Sequence, residues 1–82
     1  MYPINTPQQL RVQLRSLRQA RGLTQQQLGQ RLGVSQKRIA RIEAAPEKTA
    51  FDQIVRMVSA LGGRLAIEQL PLHTAAPAPD EW

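Results

Sequence analysis

Residues 24–43, TQQQLGQRLGVSQKRIARIE, constrain this chain more than any other stretch. Apolar residues recur there at helical spacing, but Gly33 and the capping residue Ser35 interrupt the run, which rules out one long amphipathic helix. The pattern predicts two short helices joined by a tight turn at Gly33-Val34. The second helix sorts its side chains by chemistry. Val34, Ile39 and Ile42 fall on an inward face, while Lys37, Arg38 and Arg41 fall outward beside Gln36. A helix held by a small core and offering cations to solvent has the form that enters the major groove of DNA.

The flanking sequence supplies further helices. Thr6-Pro7-Gln8-Gln9 is a helix start, with Thr6 as cap, Pro7 at the first helical position and Gln9 placed to reach back. Leu10, Leu14 and Leu17 then form a stripe that ends at Gly22, a left-handed cap position. Thr24 caps the next helix with Gln27 three residues on, and Leu28 and Leu32 point inward. Helix three runs from Ser35 to about Ala44, because Pro46 forbids continuation. Thr49 and Asp52 form another capping pattern for a fourth helix ending near Leu61. Its apolar residues, Phe51, Ile54, Val55, Met57, Val58 and Leu61, span roughly 160 degrees, against roughly 100 degrees or more for an ordinary surface helix. One small core needs less than that, so part of this face is expected to meet a partner subunit.

After Gly62-Gly63 the period changes from helical to alternating. In Arg64-Leu65-Ala66-Ile67-Glu68-Gln69-Leu70, Leu65 and Ile67 share one face, and Arg64 and Glu68 the other. This reads as a single strand with no second strand in the chain to pair with it. A two-fold homodimer whose copies pair antiparallel satisfies its backbone; the alternative is an irregular extension. Pro71 ends the segment, and the Ala- and Pro-rich remainder is expected to be disordered. The organisation is therefore a domain over residues 1–70 and a tail over 71–82. Trp82 ends that tail, either as an anchor for a partner or as an exposed residue.

Length and composition exclude several classes. Eighty-two residues allow one small domain, marginal in the core it can bury. There is no cysteine and one histidine, His73, so disulfides, thiolate zinc sites and histidine clusters are excluded, and no cofactor or metal is expected. No apolar run approaches the roughly 20 residues of a membrane span. MYPINTPQQL lacks the apolar core of a signal peptide, so a cytoplasmic protein is expected. No nucleophile–base arrangement is present among Ser16, Ser35, Ser59 and His73, the carboxylates are isolated, and no enzymatic activity is expected.

Charge is uneven along the chain. Arg11, Arg15, Arg18, Arg21, Arg31, Lys37, Arg38 and Arg41 precede the first carboxylate, Glu43. Lys48, Arg56 and Arg64 are set against Glu43, Glu47, Asp52, Glu68, Asp80 and Glu81 in the second half. The first 42 residues thus carry +8 and the remainder −3, within a net +5. Such a division points to a polyanion-binding face and a separate face for something else; the plainer alternative is an arginine-rich face that keeps a small protein in solution.

Residues 11–61 resemble the phage-repressor-like (XRE/Cro-CI) helix-turn-helix family through Leu23-Thr24-Gln25, the Leu28 to Gly33 spacing, and Ile39 with Ile42-Glu43. Over residues 3–82 the chain resembles the HipB-type antitoxins: four helices, Pro46 and Thr49 after the third, a strand after Gly62-Gly63, and a short tail ending Glu81-Trp82. The resemblance implies an all-α, lambda-repressor-like domain of four to five short helices with one C-terminal strand pairing across a homodimer. It also implies roles. Gln25 matches a phosphate-binding position at the start of helix two. Ser35, Gln36, Lys37 and Arg41 match positions that approach base edges, with Gln36 suited to adenine and Lys37 or Arg41 to guanine. Arg18 and Glu43 match a buried structural pair; beside these, Arg38 and Lys48 are read as grips on the DNA backbone and Arg31 as part of a solvated face. With three cations on helix three, phosphate contact is expected to dominate over base readout and to make binding salt-dependent.

The function this implies is an antitoxin of a type II toxin–antitoxin module. Such a dimer represses its own operon at a palindromic operator and neutralises a HipA-like serine/threonine-kinase toxin. Two alternatives stay open: a stand-alone repressor using the same DNA face, and a protein-interaction adaptor whose helix-turn-helix has lost DNA binding.

Overall fold

The computed structural model describes residues 2–72. Four α-helices follow in order, α1 Pro7–Ala20, α2 Gln25–Leu32, α3 Gln36–Ala44 and α4 Phe51–Ala60, with a 3-10 turn at Pro46–Lys48 between α3 and α4.

Each boundary follows from local chemistry. At the start of α1, the Gln9 N–H donates to Thr6 Oγ1 at 3.2 Å while the Thr6 N–H donates to Gln9 Oε1 at 3.2 Å. Thr24 and Gln27 repeat this reciprocal box at α2, at 3.1 and 2.9 Å. Each cap of this kind contributes about 1 kcal/mol by satisfying N–H groups that a helix start leaves orphaned. The α2 helix ends on Gly33, at φ 72°, where the Val34 N–H turns back to the Gly29 carbonyl at 2.8 Å. α1 and α4 close with the same bond pattern, Leu23 N–H to Arg18 O and Gly63 N–H to Val58 O.

The start of α4 departs from expectation. Thr49 does not cap it with Asp52; Ala50 occupies the cap position and no side chain bonds there. The Thr49 hydroxyl instead donates back to the Ala45 carbonyl at 3.3 Å. Pro46 opens the 3-10 turn, and the turn brings that carbonyl within reach of the hydroxyl.

Leu14 of α1, Leu28 of α2, Ile39 and Ile42 of α3, Ile54, Met57 and Val58 of α4, and Leu61 form the buried core. Leu10, Leu17, Leu23, Leu32 and Val34 pack around it. Each such side chain contributes about 1.5–3 kcal/mol on full burial. The broad apolar stripe of α4 splits. Ile54, Met57, Val58 and Leu61 enter the core, whereas Phe51 and Val55 stay exposed.

Residues 64–70, expected as a strand, form none in the single chain. Among the described residues, the structure is all-helical. No residue from Arg64 to Leu72 hydrogen-bonds elsewhere in the described chain, and Leu65, Ile67, Leu70 and Leu72 are all exposed. The reason is elementary: a strand is stabilised by a ladder, and the described residues of one copy offer no second strand to build it. His73 to Trp82, and with them most of the expected tail, lie outside the described residues.

Candidate nucleic-acid interface

The angle between α2 and α3 depends on a residue without a side chain. Gly29 sits inside α2, where glycine costs about 1 kcal/mol relative to alanine. A Cβ there would lie 2.6 Å from the Val34 carbonyl oxygen and 3.2 Å from the Ser35 carbonyl. The turn therefore passes directly against the α2 backbone, which sets how α3 leaves it. Gly29 was not among the expected site residues, yet an isolated glycine in a helical pattern is the signal of such a close approach.

α3 is then fixed from its buried side. Arg18 Nε lies 2.5 Å from Glu43 Oε2 and its Nη2 donates to Oε1 at 3.1 Å, a two-pronged pair. Arg18 Nη1 also donates to the Leu23 carbonyl at 2.9 Å. Glu43 is 1% exposed and no buried side-chain polar atom among the described residues lacks a partner. A buried pair so completely bonded tolerates its desolvation, and it ties α1, the α1–α2 connection and α3 together.

The opposite side of α3 is open. At about 100 degrees per residue, with Ile39, Ile42 and Glu43 inward, Lys37 and Arg41 lie near the centre of the outward face. Both are exposed, one turn apart, and Ala40 and Ala44 beside them are too small to obstruct an approaching surface. Ser35 is the N-cap, its Oγ accepting the Arg38 N–H at 3.1 Å. Gln36 is exposed at the first helical position, on the flank nearest Glu43.

Arg38 is separated from this pair. It lies on the other flank of α3, lining a shallow depression with Leu32, Val34, Ile42, Gln53 and Arg56. Gln25 is half-buried and its Nε2 donates to Glu43 Oε1 at 3.3 Å, so its amide is engaged with the buried carboxylate. The Gln25 and Gln26 backbone N–H groups at the α2 start have no bonded partner among the described residues. Lys48 is exposed in the 3-10 turn, beyond the α3 C-terminus. Leu65 and Ile67 are exposed in the segment that follows α4; Trp82 is outside the described residues.

Charge across α1, α2 and α3 is one-sided. Their only carboxylate is Glu43, buried against Arg18. Two α1 arginines that sequence reading did not single out add to the exposed cations. Arg11 donates to the Ala44 carbonyl at the α3 C-terminus, at 3.4 Å, and Arg15 lines the same surface groove as Arg11. The arrangement offers an exposed pair of cations on a rigidly mounted helix, bordered by further cations. That is the footprint of a polyanion site, with the dimensions of a helix that fits a major groove.

A family model described as a helix-turn-helix domain matches residues 9–66. Comparison with curated proteins and with solved structures gave no match. Among the described residues, no helix is long and apolar enough to cross a membrane.

Proposed function

This chain belongs to the helix-turn-helix domain family, and we propose that it acts as a homodimeric, sequence-specific DNA-binding transcriptional repressor. The observation that carries this reading is the outward face of α3: Lys37 and Arg41 exposed on a helix held from behind by the Arg18–Glu43 pair. α3 is the recognition helix. Ser35, Gln36, Lys37 and Arg41 approach base edges, while Arg38, Lys48 and the free N–H groups at Gln25 and Gln26 hold phosphates. Gln25 itself acts through position, its side chain braced on Glu43. Two copies present two recognition helices to a palindromic operator, with half-sites about one helical turn apart or a multiple of it. The copies meet through residues 64–70, where Leu65 and Ile67 are exposed and the backbone makes no hydrogen bond among the described residues. The test is operator selection from random duplexes, followed by affinity measurement. Loss of sequence preference when Lys37 and Arg41 become alanine supports the reading, and unchanged binding overturns it.

The finer reading is an antitoxin that also neutralises a HipA-like kinase toxin; the alternative is a repressor without a toxin. The antitoxin form rests on the resemblance that residues 3–82 bear in sequence pattern to that family. Purification from native cells at low salt, after nuclease treatment, separates the two. A stoichiometric kinase-fold companion supports the antitoxin, and a chain recovered alone supports the stand-alone repressor.

A further inference from the structure

Resting on the dimer reading above, we propose a register for it: two copies of residues 63–69 pair antiparallel about a two-fold axis at Ala66. In an antiparallel pair related by a two-fold axis, residues equidistant from the axis stand opposite one another on the same face. An axis at Ala66 sets Arg64 of each copy against Glu68 of the other, giving two opposite-charge pairs on one face. On the other face it sets Leu65 against Ile67, twice.

Neighbouring registers lose this match. An axis at Ile67 sets Arg64 against Leu70 and Ala66 against Glu68. An axis at Leu65 sets Arg64 against Ala66 and leaves Glu68 facing Gly62. An axis between two residues is excluded by the pleat, since it would set Leu65 opposite Glu68, which lie on different faces. The segment is bounded by Gly63, whose N–H closes α4 on the Val58 carbonyl, and by Pro71, which has no N–H to donate.

The occupant is a second copy of this chain, and the surroundings suit it. Among the described residues, the backbone groups from Arg64 to Leu72 make no hydrogen bond within the chain, the condition of an open edge. A Cβ on Gly63 would lie 3.0 Å from Leu17 Cδ2 and 3.2 Å from Val58 Cγ1, so the segment starts where α1 and α4 meet. On α4, Phe51 and Val55 precede Val58 at helical spacing and are exposed, 71% and 37%.

The experiment is sedimentation equilibrium on the full chain, wild type beside Arg64→Glu, Glu68→Arg and the double exchange. Each single reversal places two like-charge pairs in the ladder and is expected to weaken the dimer about tenfold; the double exchange recovers to within about threefold. A second measurement uses the absence of cysteine in the chain. Ala66→Cys places two thiols at opposite Cα positions about 4.5–5.5 Å apart, within disulfide range, and is expected to form an oxidised dimer far faster than Leu70→Cys. A dimer indifferent to the reversals and to Ala66→Cys overturns the register while leaving the dimer reading intact. A wild-type chain that stays monomeric, free and on DNA, overturns the dimer reading itself.

Discussion

Gly29 and Val34 touch where no side chain can intervene: a Cβ at Gly29 would stand 2.6 Å from the Val34 carbonyl oxygen. That oxygen belongs to backbone, so the collision is relieved only by moving the turn, and the turn carries α3. Gly29→Ala gains about 1 kcal/mol of helix propensity. It loses more to the clash, at about 1–3 kcal/mol for an overpacked site. The expected outcome is a lower midpoint in urea unfolding together with weaker DNA binding. Gly33→Ala is the control, since nothing lies within 4 Å of its Cβ and only the φ of +72° opposes it. Its cost is expected near 1 kcal/mol. A Gly29→Ala protein as stable as wild type would contradict this account.

Glu43→Ala strips the largely buried Arg18 guanidinium of its two carboxylate bonds, leaving only the Leu23 carbonyl. Removing one partner of a buried pair costs about 3–5 kcal/mol, whereas replacing both with apolar residues costs much less. In a double-mutant cycle, Arg18→Met with Glu43→Leu is therefore expected to be more stable than Glu43→Ala alone. Additive losses, measured by chemical denaturation, would show that the pair contributes nothing as a unit.

Arg21 ties the end of α1 to the end of α4, its Nε donating to the Leu61 carbonyl at 2.7 Å. Cations at a helix C-terminus bond carbonyls that have no helical partner. Arg21→Met is expected to cost about 1 kcal/mol of unfolding free energy while leaving DNA affinity unchanged. A fall in affinity at unchanged stability would place Arg21 in the DNA site instead.

The helices were legible because their signals are local. Thr6 with Gln9 and Thr24 with Gln27 are three residues apart, and glycine at 22, 33 and 62 stands where a helix closes. The two faces of α3 followed from its period, and Lys37 and Arg41 are exposed as that period implies. What escaped depends on distance in space. Nothing local to Gln25 says that its amide meets Glu43, 18 residues on, nor that Arg38 turns to the flank shared with Gln53 and Arg56. Thr49 carried a valid capping pattern but lay beside a competing acceptor, the Ala45 carbonyl, that only the 3-10 turn brings near. The strand pattern at 64–70 is local as well, but a ladder belongs to two segments and the described residues of one chain supply only one of them.

The position of Arg38 divides the cations of α3 by role. Lys37 and Arg41 share the centre of the exposed face, whereas Arg38 lies on the flank toward α4. A cation that touches only phosphate contributes equally on every sequence, and its loss lowers the dependence of log affinity on log salt by about 0.9. A side chain that reads a base contributes about 1–3 kcal/mol of discrimination at one position. Arg38→Ala is therefore expected to weaken selected and random duplexes alike and to flatten the salt dependence. Lys37→Ala and Arg41→Ala are expected to reduce the preference for the selected duplex by about tenfold or more each. Titrations of the three variants on both duplexes at several salt concentrations decide between these roles. If Arg38→Ala lowers the preference and Lys37→Ala does not, base reading belongs to the flank of α3 rather than to its outward face.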